Sequence, residues 1–401
     1  MATMAMMRSV WGVVLLLLVA AALRFWRLGE PPKQFFDEIY YARTAQEYLT
    51  GRPVYEWTHP PLSKLLIAGS VRVFGFTPWG WRFASALAGV LVVAALYALG
   101  YAVLQDSQKG LVVATLGTVD GLLLVESRIA KPEIFLLLFC TAAYAAWWAG
   151  VRTRRPAWYL AAGLCAGAAA ATKWTGLTSV GILFVASLLA WRRGELPAPG
   201  LNFAALLFLP AIPYTASYLP HLLRGETLSD LLRLHENMYR YHSTLVATHP
   251  YASRWWTWPL LLRPMWYHYE VQGKIMTGIF AVGNPAVWWA ILPSVGLVAP
   301  RAVFARSGRG LFILLGFLFS YVPYAFIGRL LFIYHMLPAL PFAYLAITEA
   351  LGDMEQRTAR TWARAYLLLA SMVFAFQLPV LVAYPVPARW LRWWIWMPTW
   401  V

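Results

Sequence analysis

Residues 10–26 read VWGVVLLLLVAAALRFW, and residues 33–64 read KQFFDEIYYARTAQEYLTGRPVYEWTHPPLSK. The first stretch is nearly uniform in apolar side chains and suits a membrane span. The second follows within a few residues. It carries the adjacent carboxylates Asp37 and Glu38, a histidine and the proline pair Pro60–Pro61. Polar groups able to do chemistry therefore sit where the chain has just left a bilayer.

The rest of the chain agrees with this start. It has 401 residues, of which 60% are hydrophobic and 12% charged, with a mean hydropathy of +0.57; a soluble domain would be about 25% charged. Apolar runs predict about eleven spans, near 9–27, 82–104, 110–125, 132–150, 157–172, 176–191, 202–220, 279–299, 310–327, 330–348 and 362–383. The expected fold class is an all-α polytopic membrane protein; strand-like alternation, which a barrel needs, is missing. The segment 1–26 reads as an uncleaved first span, because more spans follow it.

The loops sort by charge. Arg8, Lys109, VRTRRP, WRRGELPAPG, RAVFARSGRG and GDMEQRTARTWAR lie on one side and are rich in arginine. Short cationic loops face the cytoplasm. The net charge of +16 reads as orientation and lipid contact rather than nucleic-acid binding. The opposite side receives the 28–81 loop, ESRIAKPE, TKWT, the 221–278 loop, GRL and the C-terminus. Six of the seven histidines fall in those outward loops, and His335 lies near the outer end of its span. The predicted organisation is an N-terminal transmembrane module (1–220) with its outward loop 28–81, an interfacial outward loop (221–278) and a C-terminal transmembrane module (279–401). Cys140 and Cys165 lie inside apolar spans, and no Cys or His cluster has metal-ligand spacing.

Asp37 and Glu38 admit two readings. They can be an interfacial pair, solvated or matched to Arg43, or they can supply a general base whose pKa partial burial raises. In WTHPPLSK the prolines stiffen a platform that presents His59 and Lys64, or simply start a helix. Arg82, Arg128 and Lys173 at outer helix ends are snorkelling anchors or, together, a site for a lipid phosphate. The Trp- and Tyr-rich stretch 234–270 is an aromatic belt or a sugar and peptide platform.

Taken in order, FDE, HPPLSK, DGLLLVESR, TKWTGL, THPYASRWWTWPL, GNPAVWW and YHMLPALPF resemble the protein O-mannosyltransferases, the polyprenyl- or dolichyl-phosphate-mannose-dependent enzymes of glycosyltransferase family 39. The resemblance covers roughly residues 25–400. It implies a GT-C fold and transfer of mannose, with inversion, from a lipid-phosphate carrier to Ser or Thr of an exported protein. Asp37 then matches the catalytic Asp and Glu38 its acidic neighbour. Lys64, Arg82, Arg128 and Lys173 are expected around the donor phosphate. His59, Trp174, His249, Arg254, Asn284 and His335 are expected at the substrates. The resemblance implies no cofactor and no metal.

Three departures stand out. Ser63 replaces a glycine of the HPPLGK pattern. Glu133 stands where an Asp is expected. The 221–278 loop is also too short for the β-trefoil domain of larger eukaryotic members. The bacterial branch is therefore indicated, with a polyprenyl carrier, a multi-pass plasma-membrane location, a cytoplasmic N-terminus and a site on the outer face. Two other readings stay open: a related GT-C transferase acting on a lipid or polysaccharide, and a transporter, which would show inverted repeats and mid-membrane charges.

Overall fold

The computed structural model describes residues 2–352 and 356–400. Asp353, Met354 and Glu355, in the GDMEQRTARTWAR loop expected to be cytoplasmic, lie outside the described residues. In chain order the helices begin with α1 (Ala2–Phe25), α2 (Glu38–Thr50), α3 (Leu62–Phe74), α4 (Pro78–Leu104), α5 (Ser107–Thr118), α6 (Gly121–Glu126) and α7 (Glu133–Thr153). Next come α8 (Ala157–Thr172), α9 (Leu177–Arg192), α10 (Pro199–Phe208), α11 (Ala211–Ser217), α12 (Leu219–Leu223) and α13 (Leu228–Thr244). A hairpin of β1 (Met265–Gln272) and β2 (Ile275–Ala281) follows. After it come α14 (Pro285–Trp288), α15 (Ile291–Val303), α16 (Gly308–Tyr321), α17 (Leu340–Ala350), α18 (Arg357–Leu381), β3 (Val386–Pro387) and α19 (Leu391–Trp394).

Among the described residues, seven helical stretches are long and apolar enough to cross a membrane: 78–104, 133–153, 174–192, 199–217, 285–303, 308–326 and 357–381. Two shorter apolar helices, Val10–Phe25 and Ala157–Thr172, accompany them. The chain is a multi-pass membrane protein. Expected spans are interrupted in places: 202–220 turns at Leu209–Pro210 between α10 and α11, and two others break inside the protein. The 110–125 run breaks at Val119–Asp120, where the Asp120 carboxylate accepts the Leu123 N–H at 3.0 Å and starts α6. The 330–348 run begins as a tight 3₁₀ turn over Ile333–Ala339, with Pro338 inside it and Pro341 opening α17. Both breaks lie inside the protein, where side chains can satisfy the backbone groups they free.

The helical expectation needs one local correction. Residues 279–281, assigned to a span, belong to β2, and the helix starts only after Asn284. Strand β1 pairs antiparallel with β2, and β2 pairs with β3. Gly273 makes the hairpin turn at φ 61°, a left-handed conformation that costs glycine little.

In a bilayer, apolar side chains gain little from leaving lipid, so close packing holds the helices together. Gly89 on α4 shows how tight it is. A Cβ there would lie 2.3 Å from Ser127 Cβ and 2.6 Å from Arg24 Nε. The two long loops, 28–81 and 221–278, are folded too: the first holds α2 and α3, the second α13 and the hairpin. Thr227 and Asp230 form a capping box at the start of α13, which satisfies two otherwise orphaned donors.

Candidate active site

Asp37 immediately precedes α2. Its neighbour Phe36 sits at φ 50°, a left-handed conformation that is strained for a bulky residue. The Phe36 ring lies flat on Tyr267 of β1, with centroids 4.4 Å apart and planes 8° apart. The hairpin thus holds the backbone turn that presents Asp37. Phe35 is buried, and Phe36 and Asp37 stay half-buried.

The Asp37 carboxylate accepts no hydrogen bond and joins no ion pair among the described residues. Burial pushes it from 3.8 up to about 6, with Lys131 and Lys173 opposing and Glu133 and Glu56 reinforcing the rise. Desolvation disfavours the charged form, so the carboxylate is poised to take a proton near neutral pH. The pairing with Arg43 that sequence allowed does not form. Arg43 Nε donates to Glu47 at 2.8 Å and its guanidinium lies over Tyr55 at 3.9 Å.

Glu38, one residue on, has a different environment. It is fully buried, and Arg82 Nε and Nη2 donate to its two oxygens at 3.0 and 2.8 Å. The Ala130 N–H donates to it as well, at 3.2 Å. Arg82 Nη1 donates to Leu28 and Pro31 carbonyls at 3.0 and 2.8 Å, and Nη2 to the Lys33 carbonyl at 3.0 Å. This bidentate pair ties α2 to α4 and to the chain leaving α1. Its groups are fully engaged, so the expectation of a catalytic Glu38 and a phosphate-binding Arg82 gives way to a structural clasp.

Arg128 and Lys64 also depart from expectation. Arg128 Nη1 donates to the Leu23, Arg24 and Trp26 carbonyls at 3.1, 2.7 and 2.8 Å, and Nη2 to Arg27 at 3.1 Å. It therefore caps the C-terminal end of α1, where a cation meets the negative pole of the helix. Burial, then Arg82, Arg24 and Arg27, lower it to about 9. The Lys64 ammonium donates to the Glu56 carbonyl at 2.7 Å, to Glu56 Oε2 at 2.7 Å and to the His59 carbonyl at 2.6 Å. An ammonium has three protons, so none is left for a phosphate.

Those bonds shape the HPP segment. The Glu56 carboxylate also takes the Thr58 N–H at 3.0 Å and the Thr58 hydroxyl. The Glu56 N–H donates to Thr44 on α2 at 2.9 Å, and the Tyr55 N–H to Glu47 at 2.7 Å. The platform is thereby stitched to the helix that carries Asp37. His59 is half-buried, and burial lowers it to about 4, so it acts as a neutral imidazole.

Beyond Asp37 lies a chain of alternating charges. Lys131 Nζ is 3.4 Å from Glu126 and 3.7 Å from Glu133, and Lys173 Nζ donates to Glu133 at 3.0 Å. Tyr267 donates its hydroxyl proton to Glu126 and accepts from Lys131 at 3.2 Å. Lys131 also sits 3.8 Å from the centre of the Tyr334 ring, a cation–π contact. Burial works against the Lys131 charge, but Glu126, Glu133 and Asp37 outweigh it and hold its pKa above the ordinary value.

A small cleft opens here, lined by Glu133, Leu136, Lys173, Tyr324, Tyr334 and His335 among others. His335 stacks between Trp258 and Tyr334, with centroids 6.0 and 4.7 Å away. Trp174 donates to Tyr214 at 2.9 Å and lies 6.2 Å from the His242 ring. A second, apolar cavity lies toward the opposite ends of α7, α9 and α16. Trp147, Trp148, Ile182, Leu189 and Phe312 help to line it.

The structure thus gathers Asp37, His59, Lys173, Trp174 and His335. It gives Asn284 a different place. Asn284 is buried and donates to the Val119 and Ala370 carbonyls, both at 2.8 Å, while its oxygen caps α14. That makes it a bracket between α5 and α18 rather than a substrate ligand. Arg254 is exposed, and His249 Nδ1 accepts the Tyr251 N–H at 3.1 Å with its ring edge-on to Phe332. Sequence reading missed Glu56, Lys131, Tyr267 and Tyr334. The lysine was visible inside ESRIAKPE, but nothing in the sequence places Tyr267 of the hairpin over Phe36.

The fold matches solved structures of membrane transferases. The Saccharomyces cerevisiae protein O-mannosyltransferase Pmt1-Pmt2 complex, bound to the sugar donor, superposes with a TM-score of 0.88 at 15% identity. That match covers 98% of this chain and 93% of that one. ArnT from Cupriavidus metallidurans, bound to undecaprenyl phosphate, gives 0.61 at 18% identity, over 93% of this chain and 74% of that one. The fold and these comparisons define a membrane glycosyltransferase with the GT-C architecture. The dolichyl-phosphate-mannose-protein mannosyltransferase family matches residues 14–81 and 77–224, and the C-terminal four-transmembrane region of protein O-mannosyltransferases matches 227–306 and 300–400. The chain belongs to the protein O-mannosyltransferase family. The polyprenol-phosphate-mannose–protein mannosyltransferase of Mycolicibacterium smegmatis is 28% identical, over 97% of this chain and 93% of its own length.

Proposed function

We propose that the protein transfers mannose from a polyprenyl-phosphate-mannose donor to Ser or Thr hydroxyls of exported proteins, with inversion, at the outer face of a bacterial plasma membrane. The observation that carries the reading is the Asp37 carboxylate. Each neighbouring carboxylate, Glu38, Glu47, Glu56, Glu126 and Glu133, has a cationic partner, whereas Asp37 has none among the described residues. It is the group free to accept a proton.

In this mechanism the acceptor hydroxyl gives its proton to Asp37 as its oxygen bonds to the anomeric carbon. The bond from that carbon to the phosphate oxygen breaks on the opposite side, and its electron pair leaves with the phosphate. Phosphate leaves readily, so nearby cations and positioning contribute more than an acid would, and no metal is called for. Neutral His59, together with Trp174 and His335, supplies hydrogen-bonding and stacking surfaces for the sugar. The cleft bearing Lys173 and His335 offers the sugar a cation and ring faces. The apolar cavity along the same three helices suits the isoprenoid tail. The arginine-rich loops favour a cytoplasmic N-terminus and an outward site.

The test uses purified protein in nanodiscs, polyprenyl-phosphate-mannose and a Ser/Thr/Pro-rich peptide. The expected product is one hexose on the peptide, seen by mass spectrometry and abolished in Asp37→Asn. Donor consumption only with cell-envelope lipids or glycans would favour the lipid- or polysaccharide-modifying alternative.

A further inference from the structure

The cations around Asp37 are nearly all committed to protein partners. Lys64 pairs with Glu56, Arg82 with Glu38, and Lys131 and Lys173 share Glu126 and Glu133. Arg128 caps α1. One further arginine, in GRL between α16 and the 333–339 turn, differs from them. Arg329 is half-buried and has no carboxylate or carbonyl partner among the described residues. Its Nη1 donates to His242 Nδ1, and the rest of its guanidinium fork stays open. Its charge acts on Tyr334 together with that of Asp37, and on His242 and His335 together with that of Lys173. The His242 ring that Arg329 holds lies 5.0 Å from that of His59 and 6.2 Å from that of Trp174, which puts Arg329 at the edge of the residues gathered around Asp37.

His242 fixes where that fork sits. Its Nδ1 accepts from Arg329, so Nε2 carries the proton and donates to the Thr58 carbonyl at 2.7 Å. Its ring lies 5.0 Å from that of His59. Thr58 is itself held by Glu56. The arginine is thus anchored to the platform that is stitched to α2.

We propose that Arg329 is the residue that binds the donor's phosphate, and that His242 is its positioning residue. The assignment rests on the reading of the donor as a lipid-phosphate sugar. Charge complementarity supports it: the donor phosphodiester carries one negative charge, and Arg329 has no acidic partner among the described residues. A guanidinium fork matches phosphate oxygens in geometry as well as charge. When the sugar leaves, the phosphate becomes a monoester with more charge, and the open N–H groups of Arg329 can receive it.

The experiment measures binding of a polyprenyl monophosphate to the full-length protein in nanodiscs, and then KM for donor and for acceptor peptide. Asp37→Asn should bind as wild type does. Arg329→Gln should bind roughly 10- to 100-fold more weakly, the worth of a charge-assisted contact, and raise the donor KM by a similar factor with the acceptor KM unmoved. Arg329→Lys should recover part of the loss. His242→Ala, which keeps Arg329 but frees it, should raise the donor KM alone and without a fall in melting temperature. Polyprenyl phosphate binding and donor KM within about twofold of wild type in folded Arg329→Gln would overturn the assignment and leave the transfer reaction standing. A wild-type protein that neither binds polyprenyl phosphate nor uses its mannosyl ester would overturn the functional reading, and the assignment with it.

Discussion

The pH dependence of the transfer step tests the role of Asp37 most directly. Burial places its carboxyl at about 6 instead of 3.8. A base must be ionised, so the rate should rise with pH, reach half its plateau near pH 6 and fall to roughly a tenth at pH 5. An ordinary aspartate would leave the rate flat over that range. The same shift has a stability consequence of opposite sense. A raised carboxyl pKa means that the fold favours the protonated form, so ionised Asp37 weakens the fold above pH 6. The displacement is about 2 pH units, an upper bound of ~3 kcal/mol that water reaching the half-buried group reduces to ~1–2 kcal/mol. Asp37→Asn should therefore abolish transfer while melting at the same or a higher temperature than wild type at pH 7.5. The assay is kcat/KM for peptide mannosylation from pH 4.5 to 8.5 in nanodiscs, with thermal unfolding of both proteins alongside. A rate that does not change between pH 5 and 7, or an Asn variant within about tenfold of wild type, would refute the assignment of Asp37 as the base.

Three other outcomes follow from the geometry. Arg82→Gln should leave Glu38 buried and unpaired, lowering stability by about 3–5 kcal/mol; activity should fall in step with the loss of folded protein, measured by unfolding and kinetics together. Asn284→Ala removes two interhelical bonds and a cap and should cost about 1–3 kcal/mol. Its KM for donor and acceptor should stay at wild-type values, because Asn284 lies between α5 and α18. Transfer should proceed at an unchanged rate after dialysis against a chelator, and restoration of lost activity by an added divalent cation would contradict the metal-free step.

Much of the fold was legible in the sequence because a bilayer imposes strict rules. Runs such as 10–26 and 82–104 must be helical, since lipid offers no partner for backbone groups. The hairpin at 265–281 was not legible. MWYHYEVQ is short and lies inside the expected 221–278 loop, and its partner strand IMTGIFA runs straight into the next apolar segment, so residues 279–281 read as part of the expected span. The breaks at Asp120 and Pro338 escaped notice for a similar reason: hydropathy averages over a window and passes across a single capping residue.

At the site, sequence indicated which residue types gather outside the membrane, and DE beside HPP pointed to Asp37. It could not apportion partners. Asp37 and Glu38 are adjacent and chemically alike, yet one is free and the other is locked to Arg82 across 44 positions of chain. Lys64 and Arg128 looked like phosphate ligands until Glu56 and the end of α1 took up their protons. Composition, span periodicity and loop charge act locally or on average, so the sequence alone determined a helical, multi-pass chain with its chemistry at one face. Which carboxylate stays bare and which cation stays open depends on contacts between residues far apart in the chain, and only the tertiary structure decided that.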